Sequence, residues 1–225
     1  MAQRLDGVSE EQRKDFEPFR PALEATLGGF LPNSLFIMAH DPDLVLGFGL
    51  LSRAVFRGSA RTRISLVSMV KAALKIGWRS ITSRREAPIT DELRALIFLA
   101  VSLAAGCRYC QAHSATQALD RGLSDDKIGD ILVYDKSPHY SEPERAALAV
   151  AFSAGQAPNA TTDEEFAALR RHFTDSQIVG IVAAISYMGF LNRWNDTFAT
   201  TLEERPGEVS AEILKNTGWS PGRHA

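Results

Sequence analysis

The chain is poor in the features that usually betray a compartment or a scaffold. It has two cysteines in 225 residues. Spaced Cys-x-x-Cys in a reducing setting, they suggest catalysis or metal binding more than a structural staple. It lacks an excess of either charge: the net charge is −2, which gives no reason to expect nucleic acid or an anionic membrane as partner. It lacks a long hydrophobic run. The longest, Ile178–Leu191, is interrupted by Gly180, Ser186 and Gly189, and falls short of the roughly 20 residues that a spanning helix needs. Met1–Arg20 carries no apolar segment of the signal-peptide kind. A cytoplasmic location is the expectation. Alternating polar and β-branched runs are scarce, which argues against sheets.

What is present is helical periodicity and helix punctuation. Asp41-Pro42 marks a helix start running to about Arg57, with Asp41 as cap and Pro42 at the first helical position. Thr90 caps a segment, Asp91–Ala105, that is almost wholly apolar after Arg94 and so is expected to be buried on most sides. Gly106 ends it. Ser141-x-x-Glu144, Thr162-x-x-Glu165 and Thr174-x-x-Gln177 are three capping boxes. The last should open a long helix reaching about Glu204, stopped by Pro206-Gly207 and followed by a short helix and a loose tail. The fold class is therefore all-α, a multi-helix bundle. Residues 60–82 are basic and amphipathic, with Arg61, Arg63, Lys71, Lys75 and Arg79. A solvated helix face is the simpler reading, an anion-binding surface the sharper one.

The chemistry concentrates in Cys107-Arg108-Tyr109-Cys110-Gln111-Ala112-His113. On a helix Cys107, Cys110 and His113 fall at successive i, i+3 steps along one ridge. Two thiols and an imidazole so placed can carry out redox or nucleophilic chemistry, contribute part of a metal site, or simply pack. Cys107 lies at the helix start, where the dipole favours a thiolate; Cys110 lies deeper, with His113 a turn on. A zinc site would need a fourth ligand, and His139 or His172 are the histidines that could complete one. Neither lies in a recognisable ligand spacing, and His172, a cation at a helix end, has a simpler role, as does His40, which adjoins a helix cap.

Leu93–Ala118, with its Cys-x-Tyr-Cys-x-x-His core, resembles the carboxymuconolactone decarboxylase and alkylhydroperoxidase D superfamily. Gly-Phe-Leu-Asn-Arg-Trp-Asn-Asp-Thr at 189–197 is similar to a segment of the two-part, peroxidase-related members. The likeness runs from about Pro32 to Glu204 and is weakest over 59–88, which reads as an insertion. The domains expected are an N-terminal extension (1–30), the helical domain (31–205) and a tail (206–225). The resemblance implies an all-α fold, a homo-oligomer (dimer, trimer or hexamer) and a dithiol peroxidase site. In it Cys110 attacks, Cys107 resolves and His113 is the base. Tyr109, Trp194 and Asn195 would line the substrate pocket. Two family positions differ here. Ser114 stands where the hydroperoxidases place their histidine, and Ala95 where they place a glutamate. Glu92, Glu144, His139 or a neighbouring subunit are candidates for the partner that His113 then lacks.

The expected function is an oxidoreductase, a thiol-dependent peroxidase of antioxidant type. It would reduce a small-molecule hydroperoxide through a dithiol/disulfide cycle and be recharged by a thiol or lipoyl-type reductant protein. No metal and no cofactor beyond the redox-active dithiol is expected. The alternatives are a decarboxylase-like lyase on a small carboxylated substrate, or a non-catalytic, redox-sensing helical oligomer.

Overall fold

The computed structural model describes residues 3–14, 33–55, 70, 74 and 87–225. The basic segment 60–82 lies almost wholly outside them. The described residues are helical with no strand, and the fold is an all-α bundle. The chain divides into two compact units, Met1–Ala87 and Pro88–Ala225.

In the first unit lie α1 (Glu10–Arg13), α2 (Asn33–Met38) and α3 (Pro42–Val55). Asp41 Oδ1 accepts from the Asp43 N–H, the cap expected for α3. A small core joins Val8, Leu35, Phe36, Ala39 and Val45. His40 is structural: its Nε2 meets the Asp6 carbonyl at 2.9 Å. A carbonyl only accepts, so that nitrogen donates.

The second unit holds α4 (Asp91–Ala105), α5 (Arg108–Asp120), α6 (Asp125–Gly129, continued as a 3-10 turn to Val133), α7 (Glu142–Ala154), α8 (Asp163–His172), α9 (Asp175–Phe198) and α10 (Glu204–Ile213). Helix α4 is the hub, packed against α5, α7 and α9. Its sequence explains this: Leu96, Ile97, Leu99, Ala100 and Val101 are buried around most of the helix circumference. Small residues let neighbours approach closely. A Cβ on Gly155, just beyond α7, would lie 2.9 Å from Ala104 Cβ. All three capping boxes form as the sequence suggests. Leu96→Ala would leave a cavity at the centre of this packing. It should cost about 2–5 kcal/mol of stability, read as a lowered midpoint in chemical denaturation with an unchanged slope.

The C-terminal region departs from expectation. Helix α9 ends at Phe198, where Ala199 takes a left-handed conformation at φ 48°. A new helix, α10, begins at Glu204, and Pro206-Gly207 lies in its first turn rather than at a stop. A first-turn proline loses no hydrogen bond, because the N–H groups there have no intrahelical partner anyway. Nor is the tail loose: Trp219 Nε1 donates to the Arg108 carbonyl at 3.1 Å, and His224 is buried.

Candidate functional site

Gly106 turns the chain between α4 and α5. At φ 81° it occupies the left-handed region that glycine enters without strain, and its N–H returns to the Ser102 and Leu103 carbonyls. This places Cys107 at the N-cap of α5, where its sulfur accepts from the Cys110 N–H at 3.4 Å. Gln111 Nε2 donates to the Ser102 carbonyl at 3.1 Å, tying α5 to the end of α4. Both cysteines are free and buried, Cys107 at 0% exposure and Cys110 at 3%.

The two thiols are not equivalent. A hydrogen bond between their sulfurs favours loss of the Cys110 proton and retention of the Cys107 proton. Cys110 is lowered from its ordinary value, first by the Cys107 thiol, against burial, and then by Asn195, whose Nδ2 donates to Cys110 Sγ at 3.5 Å. Cys107 is pushed well above the ordinary thiol range by Cys110 and by burial. The helix dipole favours a thiolate at Cys107, at the helix start. Its N–H contact there is outweighed by the neighbouring sulfur and by burial, so the balance falls to Cys110.

Asn195 is held for this contact. Thr200 Oγ1 donates to its side-chain oxygen at 3.1 Å, which points the amide nitrogen at the sulfur. The turn at Ala199 is what brings Thr200 back onto α9.

The partner of His113 is Glu203. His113 Nε2 lies 2.7 Å from Glu203 Oε2, and Tyr109 OH donates to Glu203 Oε1 at 3.1 Å. The Tyr109 and His113 rings lie 4.3 Å apart. Burial acts to raise the Glu203 carboxyl, but its own backbone N–H, His113 and Tyr109 together hold it below the usual range. Tyr109 is pushed up to about 12, by burial and then by Glu203. The partners considered from sequence are engaged elsewhere: Glu144 pairs with Lys127 at 2.6 Å, and His139 lies 3.9 Å from Asp130.

Of the predicted site residues, Cys107, Cys110, His113, Tyr109 and Asn195 form one cluster. Trp194 belongs to another surface. It is 53% exposed and packs between Phe190 and Phe198 in an aromatic stripe along α9. One helical step from Asn195 rotates it away from the direction of the thiols. Three residues of the neighbourhood escaped sequence reasoning: Glu203, Asp196 and His224. Pro206, read as a helix start, would have drawn attention to Glu203 as its cap. His224 carries no local signal. The zinc set built on His113 is not assembled, since that ring faces Glu203. Ligand atoms of Cys107, Asp196 and His224 do lie within 4.8 Å of one another, which is three where zinc ordinarily takes four.

No helix among the described residues is long and apolar enough to cross a membrane. The chain is similar to uncharacterized proteins YnjA of Escherichia coli and YdfG of Bacillus subtilis. The first is 25% identical over 120 residues, which is 53% of this chain and 64% of that protein. The second is 25% identical over 134 residues, 59% of this chain and 89% of that protein. In three dimensions it is similar to the debrominase Bmp8. The apo form is 28% identical with a TM-score of 0.55, covering 95% of this chain and 99% of that one. A cysteine-to-alanine variant in complex with 2,3,4-tribromopyrrole matches at 27% identity with the same TM-score, covering 95% of this chain and 98% of that one. Residues 68–152 match the sequence profile of the carboxymuconolactone decarboxylase family. The match begins inside the segment read as an insertion and takes in α4, α5, both cysteines and His113. The likeness to the carboxymuconolactone decarboxylase family therefore lies over the stretch that carries both cysteines and His113.

Proposed function

We propose that this protein is a dithiol reductase whose Cys110 thiolate attacks a hydroperoxide. The observation that carries the reading is the asymmetric thiol pair: Cys110 lowered by a sulfur hydrogen bond and by Asn195, Cys107 raised beside it. Attack on the distal peroxide oxygen breaks the O–O bond and leaves a sulfenic acid on Cys110. The alkoxide leaves with a proton drawn through His113, which Glu203 orients. Cys107 then gives up its proton and attacks the Cys110 sulfur. Hydroxide leaves and is protonated to water, and a Cys107–Cys110 disulfide remains. The substrate is reduced by two electrons and the dithiol is oxidised by two. An external thiol or lipoyl-type dithiol returns them. Assembly as a homo-oligomer belongs to the same proposal and rests on the family likeness over residues 68–152; the exposed stripe of Phe190, Trp194 and Phe198 is an apolar surface suited to a second copy.

The reduced protein treated with cumene hydroperoxide should lose both thiols per peroxide consumed and gain an intramolecular disulfide. Thiols that stay reduced through repeated additions overturn the reading. A second reading is reductive debromination, favoured by the likeness to Bmp8 over 95% of this chain. There the thiolate takes bromine from an electron-rich ring, the ring carbon gains a proton, and Cys107 displaces bromide to close the same disulfide. A polybrominated pyrrole that releases bromide and consumes both thiols, with peroxide inert, would select it.

A further inference from the structure

We propose that the C-terminal tail gives Cys107 a proton carrier of its own, the Asp196–His224 pair, separate from the His113–Glu203 pair that serves Cys110. The proposal rests on the dithiol reading above, but concerns only the step in which Cys107 closes the disulfide.

Cys107 needs such a group. Its thiol is fully buried, and it must lose a proton when it attacks. His113 and Glu203 form their own pair, bridged to Tyr109. On the Cys107 side, ligand atoms of Asp196, His224 and Cys107 fall within 4.8 Å of one another. His224 is the penultimate residue of the sequence and is 1% exposed, a position that a tail side chain of this polarity takes only with partners. It has two. Nδ1 lies 2.8 Å from the Thr200 carbonyl and Nε2 lies 3.1 Å from Asp196 Oδ1.

Those contacts fix the protons. A carbonyl can only accept, so Nδ1 carries a hydrogen. A neutral ring would then turn a bare Nε2 lone pair toward a carboxylate. A proton shared between Nε2 and Asp196 removes that conflict, so the pair beside the sulfur holds one proton between a ring nitrogen and a carboxylate oxygen.

The placement is held from several sides. The Leu202 N–H donates to the His224 carbonyl at 2.8 Å, Trp219 Nε1 holds the tail to Arg108, and Tyr109 lies 5.8 Å ring to ring from His224. Asp196 is 35% exposed, so a proton it receives can pass to water. As Cys107 attacks, its S–H bond breaks and the proton moves to the Asp196 carboxylate. The proton held between Nε2 and Asp196 meanwhile offsets the negative charge developing on sulfur. The S–S bond forms and the group on Cys110 leaves with the electron pair.

The two thiol steps can be read apart without peroxide. The fully reduced protein mixed with 4,4′-dithiodipyridine should release a first thiopyridone as Cys110 attacks, and a second as Cys107 closes the disulfide. His224→Gln and the near-isosteric Asp196→Asn should leave the first phase within about twofold and slow the second at least about tenfold. His224→Ala should close slowly and recover on addition of imidazole. The proposal is overturned by a second phase at the wild-type rate in His224→Gln and Asp196→Asn, or by equal slowing of both phases. It is also overturned by slow closure that imidazole does not restore, which would assign His224 to packing. Release of a single thiopyridone by the wild type overturns it too, since Cys107 then closes nothing. Failure of the peroxidase reading shows separately, as wild-type protein that keeps its thiols in peroxide yet releases both thiopyridones.

Discussion

Cys110→Ser is expected to leave Cys107 untouched by hydroperoxide and to cut turnover by about a thousandfold or more. Cys107 cannot take over, because it has no exposed surface and burial still favours its protonated form once the Cys110 sulfur is gone. A buried thiol that holds its proton is neither nucleophile nor readily oxidised. The serine hydroxyl can keep the Asn195 hydrogen bond, so the fold should survive and the loss will read as chemistry rather than unfolding. Cys107→Ser should behave differently. Cys110 still attacks, a single thiol is consumed, and the reaction halts at a sulfenic acid that dimedone can trap. Mass spectrometry of both variants after one equivalent of cumene hydroperoxide separates the roles. Adduct on Cys110 in Cys107→Ser, with no oxidation in Cys110→Ser, supports the assignment. The reverse pattern would exchange the two cysteines.

The core of this site was legible because it is local. Cys107, Cys110 and His113 share one helix, and helical spacing alone brings them to one ridge. Thr90, Ser141, Thr162 and Thr174 cap the helices the sequence marks, since a cap is decided within four residues. The proton partners were not legible, because they arrive by tertiary packing. Glu203 lies 90 residues from His113 and is a cap of α10. Its position depends on α9 ending at Phe198, and that end is set by Ala199 in a conformation that non-glycine residues seldom adopt. A periodic apolar pattern running past Phe198 gave no sign of it. The proline at 206 then signalled with equal force a helix stopped or a helix begun. His224 was hidden more deeply: nothing in Pro-Gly-Arg-His-Ala says that a chain end will fold back onto a cysteine. The inequality of the two thiols has the same root. The dipole at a helix start is a local effect, whereas the contact between the two sulfurs and the Asn195 amide, 85 residues away, are facts of packing.

Glu203→Gln should lower kcat for peroxide reduction by about 100-fold while leaving the thiols able to form a disulfide with dithiodipyridine. Glutamine keeps the length of the side chain and can still accept from Tyr109, but it carries no charge. In the wild type the carboxyl is held below its usual range, so it is ionised throughout neutral pH and becomes neutral only on strong acidification. A carboxylate 2.7 Å from Nε2 orients the His113 ring and offsets the positive charge of a proton in transit to the departing alkoxide. An amide carries no such charge. His113→Gln should produce a loss of similar size, and the double variant should be hardly worse than either single one, because the two residues act as a unit. Losses that multiply would mean that Glu203 and His113 serve separate steps. Glu203→Asp tests geometry against charge: a carboxylate one methylene short keeps the charge, so partial activity with an unchanged acid limb points to charge as the essential property. In the proposed chemistry one partner of each proton-carrying pair, Glu203 for His113 and His224 for Asp196, follows Ala199, beyond the 68–152 stretch that matches the family profile. Truncation after Phe198 should accordingly remove Glu203 and His224, the partners of His113 and Asp196, together while leaving the Cys-x-x-Cys helix and its sulfur pair encoded in full.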